Sequence, residues 1–264
     1  MTTTSAVAAQ AMVLAAGRGQ RMRPLTDHTP KPLLQVQGKA LLEWHLQALA
    51  HAGLSQVVIN TGWLGPQIPA HLGQRYQASE HDSSTALNLV YSREDLDFGS
   101  GIETAGGISR ALPQLEEVFW LVAGDVFTPA FVFDDAQRSA LQASDALAHV
   151  WLVPNPAHNP QGDFTLHGNR AYPALDKLDV CNPQAKVASE GPSYTYSTIA
   201  LLKRSLFELP WCALVPGNPT GVAAPLGPLL FKAAAQGKVS ASLYLGPWTD
   251  VGTPERLAAL NQLR

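Results

Sequence analysis

Four short apolar runs, set apart by helix-patterned or glycine-punctuated stretches, constrain this chain more than any other feature. They are residues 11–17 (AMVLAAG), 56–60 (QVVIN), 87–92 (LNLVYS) and 118–125 (VFWLVAGD). Each has the length and the β-branched or aromatic content of a buried strand. Residues 39–53 (KALLEWHLQALAHAG) place Leu42, Leu46 and Leu49 on one helical face and close on Gly53 as a C-terminal glycine. A shorter helical pattern, residues 106–115, precedes the fourth run. Strand alternating with helix predicts an α/β fold, Rossmann-like, with a mostly parallel mixed sheet flanked by helices on both faces.

The second half is less regular. Residues 146–154 and 195–202 read as strands, and residues 164–173 (FTLHGNRAYP) as a hairpin around Gly168-Asn169. Residues 226–237 read as a helix ending in glycine. Thr253-Pro254-Glu255 starts another, with Thr253 as N-cap and Pro254 in the first turn. Residues 74–88 and 181–194 read as surface insertions. A short frayed tail, 1–10, is expected before a single domain, 11–264. Its regular and less regular parts are the halves at 11–130 and 131–264.

Composition excludes several classes. With 264 residues, 46% hydrophobic and 15% charged, the chain can bury a sizeable core and is not disordered. A formal charge of −3 gives no field for nucleic acid. No apolar run approaches a membrane span, so no membrane partner is expected. The two cysteines, Cys181 and Cys212, exclude a disulfide-dense fold or a four-cysteine zinc site and fit a reducing cytoplasm. No HExxH or GxSxG pattern occurs.

Behind the first strand stands GRGQRMRPLTDHTPKPLL, residues 17–34. Glycines at a strand end expose backbone N–H groups that can hold phosphate oxygens. A P-loop is absent. A dinucleotide fingerprint lacks its third glycine, because Met22 stands there and Arg23-Pro24 opposes helix entry. On the glycines alone, an ordinary strand-to-loop turn fits as well. Arg18, Arg21, Arg23 and Lys31 add fixed cations, held by Pro24, Pro30 and Pro32, as a triphosphate requires.

LAAGRGQRMRPLT followed by TPKPLL resembles the composite signature of the sugar-1-phosphate nucleotidyltransferases. The resemblance implies a nucleotide-diphospho-sugar transferase type of fold. It implies that Ala15, Ala16 and Gly17 touch base and ribose, and that Gly19 and Arg21 hold the β- and γ-phosphates. Lys31 would lie between the reacting phosphates, making Arg21 and Lys31 catalytic. Asp125, in AGD, and Asp250, in WTDVGT, resemble the family's two Mg²⁺ ligands; a turn-forming role is the bland alternative for each.

Glu103-Thr104-Ala105-Gly106-Gly107 resembles the segment that closes over the base, giving Thr104 and Gly106 nucleotide contacts and Gly107 a sugar contact. Ser92, at a strand end, is a further candidate for the base. Segments across most of the chain are similar to the small bacterial uridylyltransferases acting on N-acetylmuramic acid α-1-phosphate in cell-wall recycling. The partners so implied are UTP, bound by the half at 11–130, and a sugar 1-phosphate, bound by the half at 131–264. Asp163, in GDF, would contact the sugar or simply flank a turn. Relatives of this length can act as monomers. Ala123 and Thr198 depart from the family's asparagine and glycine, which leaves the sugar least constrained.

Overall fold

The structure is a computed structural model that describes residues 9–78, 86–177 and 191–262. Its strands are β1 (Ala9–Ala15), β2 (Gln35–Val36), β3 (Lys39–Ala40), β4 (Gln56–Thr61), β5 (Arg75–Gln77), β6 (Ala86–Arg93), β7 (Leu115–Ala123), β8 (Val126–Phe127), β9 (Ala148–Val153), β10 (Phe164–His167), β11 (Arg170–Pro173), β12 (Ser193–Lys203), β13 (Val239–Leu243) and β14 (Thr249–Asp250). Its α-helices are α1 (Leu41–His51), α2 (Gln67–Leu72), α3 (Glu94–Phe98), α4 (Thr104–Ala111), α5 (Asp135–Ala143), α6 (Leu226–Ala235) and α7 (Pro254–Gln262).

One sheet runs in the order β10-β11-β13-β9-β12-β7-β1-β4-β6-β5. β1 pairs in parallel with β4 and with β7, and β4 pairs in parallel with β6. β12 enters antiparallel between β7 and β9, so the second half is mixed. The chain passes from β1 to β4 and β6 on one side of β1, then crosses to β7 on the other. The strand order therefore reverses at β1. In open α/β sheets that reversal leaves a crevice beyond the carboxyl ends of the strands, where ligands sit.

Helices cover both faces, which is why β1 is apolar from Ala11 to Ala15: Ala11, Met12 and Val13 are all fully buried. On one face Leu42, Leu46 and Leu49 of α1 pack with Val13, Val57 and Ile59. On the other, Ile108 of α4 and Leu229 and Leu230 of α6 pack with Met12, Val58 and Leu121. Each such leucine contributes roughly 2 kcal/mol by leaving water. A third cluster joins Met22, Leu34 and Val36 to Val251, Leu257 and Leu260, and so ties the first glycine-rich turn to α7.

Three expectations are corrected. Residues 9 and 10 belong to β1, where the Gln10 side chain accepts from the Ser55 backbone N–H at 3.0 Å. Residues 75–77 and 86–88 are paired strand rather than insertion, because β5 closes the sheet edge antiparallel to β6. Residues 193 and 194 open β12 and pair with β10. Cys181, with the rest of 178–190, lies outside the described residues. The halves at 11–130 and 131–264 share one sheet through the β7–β12 pairing.

Candidate active site

Residue 15 ends β1, and the chain then turns tightly. Gly19 takes φ +63 and caps a 3₁₀ turn, Gln20–Met22. The Thr26 hydroxyl donates to the Gly19 carbonyl at 2.8 Å. Two further 3₁₀ turns, Leu25–Asp27 and Lys31–Leu33, return the chain so that Lys31 lies beside Gly19. A Cβ on Gly19 would stand 3.0 Å from the Thr26 methyl and 3.2 Å from Lys31 Cβ, so the glycine permits the fold-back as well as the left-handed turn.

This turn roofs a cavity of about 970 Å³ at the strand ends. Ala15, Ala16, Gly17, Gly19, Arg21, Lys31, Thr104 and Asp125 line it, all of them singled out from the sequence. The four basic residues of the turn divide. The Arg18 guanidinium lies 4.5 Å from the Trp63 ring centroid, a cation–π contact. Arg21 is exposed at the cavity wall, whereas Lys31 is buried. Arg23 turns away and pairs with Asp27 at 2.7 Å.

Asp125 and Asp250 meet through a ladder that their own sequences do not announce. β8 and β14 pair antiparallel with Val126 opposite Asp250, and the Val251 N–H donates to the Asp125 carbonyl at 3.1 Å. Gly124 lets β7 end against β1, since a Cβ there would meet the Leu14 carbonyl at 2.8 Å. Lys31 Nζ then stands 2.6 Å from Asp125 Oδ2 and 4.0 Å from Asp250 Oδ1. Behind this group the buried His45 donates from Nε2 to the Val126 carbonyl at 2.9 Å. Burial pushes its pKa down to about 4, against the opposing pull of that carbonyl and of Asp125.

Asn60 and Glu94 also line the cavity, and no sequence motif pointed to them. The Ala15 N–H donates to Asn60 Oδ1 at 2.8 Å, and Asn60 Nδ2 donates to Glu94 Oε1 at 2.7 Å. Glu94 Oε2 accepts from the Ile102 N–H at 2.9 Å. Burial raises the Glu94 pKa, and these hydrogen bonds counter it. The network ties the end of β1 to the loop before α4. In that loop Glu103, with φ +63 and ψ 169, holds a backbone conformation that only glycine adopts easily.

Other expected site residues lie elsewhere. Ser92 is 2% exposed below the lining, with a buried hydroxyl. Gly106 packs on the 218–224 loop, where its Cβ would meet the Val222 carbonyl at 2.7 Å. Gly107 faces Glu94, with 2.5 Å left for a Cβ. These two glycines thus permit close packing of α4 and do not line the cavity. Asp163 Oδ2 accepts from the Tyr196 N–H at 2.9 Å and from Asn159 at 3.2 Å, within a loop outside the lining.

A second cavity, about 640 Å³, is lined by Pro154, Pro156, His158, Trp248, Asp250 and Arg256 among others. Asp250 thus lines this cavity, whereas Lys31 and Asp125 line the first.

Residues 11–180 match the family model described as the MobA-like NTP transferase domain. The chain is 40% identical over 252 residues to the N-acetylmuramate alpha-1-phosphate uridylyltransferase of Neisseria meningitidis serogroup B, covering 94% of this chain and 95% of that one. It is 30% identical over 229 residues to the enzyme of the same name from Caulobacter vibrioides, with 78% and 88% covered. Among solved structures, a Bacillus anthracis chain described as a glucose-1-phosphate thymidylyltransferase superposes with TM-score 0.72 at 18% identity, over 96% of this chain and 94% of that one. HddC from Yersinia pseudotuberculosis superposes with TM-score 0.63 at 16% identity, over 97% and 100%. These likenesses establish the α/β sheet architecture of sugar nucleotidyltransferases. By the family model and by both relatives, this chain belongs to the MobA-like NTP transferase family, as a nucleotidyltransferase.

Proposed function

We propose that the chain transfers a uridylyl group from UTP to N-acetylmuramate α-1-phosphate, releasing pyrophosphate and forming the UDP-sugar. The observation that carries this reading is the buried Lys31 at the wall of the glycine-roofed cavity, 2.6 Å from Asp125 of the same wall and 4.0 Å from Asp250. The 40% identity to the Neisseria enzyme supports the choice of uridylyl donor and acceptor.

The acceptor phosphate oxygen attacks the α-phosphorus of UTP. One P–O bond forms, and the bond from the α-phosphorus to the bridging oxygen breaks, with its electron pair leaving on pyrophosphate. The nucleophile is already an anion, so no general base is required. Two unit charges 4 Å apart repel by about 4 kcal/mol at an effective dielectric near 20. Lys31 offsets that repulsion where the phosphates meet. Arg21 receives the charge that gathers on the leaving pyrophosphate. The glycine turn fixes the triphosphate with backbone N–H groups, and the Asn60–Glu94 network holds the floor beneath the nucleoside.

Asp125 and Asp250 fit Mg²⁺. They offer hard oxygen donors, and both carboxylates lie within 4.0 Å of Lys31 Nζ. An ion held by two carboxylates keeps room for phosphate oxygens and water. When bound, Mg²⁺ supplies neutralisation of the triphosphate charge.

The test is pyrophosphate release from purified protein over a panel of nucleoside triphosphates and sugar 1-phosphates, with EDTA and Mg²⁺ arms. UTP with N-acetylmuramate 1-phosphate should give the highest kcat/KM, silenced by EDTA and restored by Mg²⁺. Faster turnover of dTTP or GTP with a glucose or mannose phosphate overturns the assigned substrates. No release with any pair overturns catalysis.

A further inference from the structure

Asp250 is held by more than its place in β14. Arg256, on the first turn of α7, puts Nη1 2.9 Å from Asp250 Oδ2 and donates to the Asp250 carbonyl at 3.2 Å. His158, from the loop after β9, brings Nε2 to 3.3 Å from the same Oδ2. The other oxygen, Oδ1, is the one that faces Lys31, at 4.0 Å. The two oxygens of one carboxylate therefore have different neighbours. One is engaged from the second cavity; the other is presented to the reaction centre.

Gly252 is fitted to this arrangement. A Cβ on it would stand 3.0 Å from Arg256 Nη1, 3.0 Å from Asp250 Oδ2 and 3.2 Å from Asp250 Oδ1. No other group crowds that Cβ position so closely, and its backbone φ is not in the left-handed region. A methyl group there would press on the arginine–carboxylate pair and on little else. α7 is in turn anchored by Leu257 and Leu260 in the same apolar cluster as Met22, so Arg256 has a fixed base.

We propose that Arg256 and His158, with Gly252 making room for them, are positioning residues that clamp Asp250 Oδ2 and so aim Oδ1 at the divalent ion of the uridylyl-transfer site. The proposal rests on the metal reading given above for Asp125 and Asp250. Carboxylate ligands are commonly held by such outer hydrogen bonds, and loss of those partners lowers metal affinity about 10- to 100-fold. Arginine suits the task because its charge is permanent and its fork is rigid.

The experiment is titration of Mn²⁺ into the full-length protein with UTP present and no acceptor, read by electron paramagnetic resonance. It is run on wild type, Asp250→Asn, Arg256→Gln, Arg256→Lys, His158→Gln and Gly252→Ala, with thermal melts of each. Arg256→Gln and Gly252→Ala should each weaken Mn²⁺ about tenfold or more, and the double variant little further, since both act on one pair. Arg256→Lys should recover part of the affinity. His158→Gln, on a separate loop, should weaken it less than Arg256→Gln. If Asp250→Asn weakens Mn²⁺ while folded Arg256→Gln and Gly252→Ala bind it as wild type does, the clamp is overturned and the metal reading stands. If Asp250→Asn itself leaves Mn²⁺ binding unchanged, the metal reading falls and the clamp falls with it.

Discussion

Lys31 and Asp125 are 94 residues apart in the chain, yet the ammonium lies 2.6 Å from the carboxylate. Lys31 is 8% exposed as a side chain and Asp125 is 38% exposed, so the lysine is the buried member. Its charge leaves water because Asp125 and, at 4.0 Å, Asp250 compensate it. Both residues face the point where the two phosphates are proposed to meet. Lys31→Met should lower kcat by about 10²-fold or more, the scale of losing one preorganised donor. Asp125→Asn should do the same, and it should also cost stability by leaving Lys31 short of its counter-charge. Steady-state kinetics with urea melts check both. Near-wild-type turnover in Lys31→Met removes the lysine from the mechanism.

The glycine turn separates backbone need from ligand need. Gly19→Ala puts a side chain in the left-handed region, costing roughly 1–2 kcal/mol, and pushes on Thr26 and Lys31. It should lower both stability and kcat. Gly17 has no atom within 4 Å of its Cβ position. Gly17→Ala should therefore change stability by less than about 0.5 kcal/mol while raising KM for UTP. Equal, small effects of both substitutions on KM would show that nothing binds against this turn.

The contrast explains what the sequence could reveal. The turn from Gly17 to Leu34 is local, with its glycine, prolines and cations adjacent in the chain, so its shape and its cavity were legible. Asn60 was not, because its role is to receive the Ala15 N–H from 45 residues away and relay to Glu94. Ser92 is a candidate from the sequence because strand ends line such crevices. That rule finds the edge but not the side chain that reaches it, and here the chain turns into α3 so that Glu94 reaches the lining. β8 and β14, two residues each, carry no periodicity, yet their pairing brings Asp125 and Asp250 together. α5 escaped because Leu141 is its one buried residue, too little for an apolar stripe. Its start is nonetheless marked, as Asp134 accepts from the Ala136 N–H at 2.9 Å.

Thr198 gives a third prediction. It lies at φ +64, a left-handed conformation that is a true outlier for a β-branched residue. The β12–β9 register shifts between Tyr196 and Ala200, so Thr198 sits in an irregularity of β12. The next residue, Ile199, resumes the antiparallel register opposite Val122 of β7. Glycine at this place would remove the strain. Thr198→Gly should release about 1–3 kcal/mol of strain and lose about 0.5–1 kcal/mol to the freer unfolded chain. The net gain, on the order of 1 kcal/mol, should raise Tm by about 2–4 °C. A lower Tm would mean that the hydroxyl's 2.6 Å hydrogen bond to the Ser197 carbonyl outweighs the strain.

His45 sets the acid limit of the fold. It is fully buried and neutral, donating to the Val126 carbonyl behind Asp125, and its pKa falls from the ordinary 6.5 to about 4. Above pH 6.5 the imidazole is neutral in both folded and unfolded chains, and the full stability is present. As pH falls below 6.5 the unfolded chain takes up a proton that the folded chain refuses. Stability is therefore lost progressively down to about pH 4, and this group causes no further loss below that. The depression corresponds to a loss on the order of 3 kcal/mol. His149, lowered to about 4 by burial, acts in the same window and direction. Urea unfolding at pH 7, 5.5 and 4.5 should show the decline, and His45→Gln should flatten it while starting from lower stability at pH 7. Carboxylates titrate in this range in both proteins, so the difference between the two curves isolates the imidazole. Curves that stay parallel from pH 7 to 4.5 would show that His45 protonates as easily inside the fold as in water.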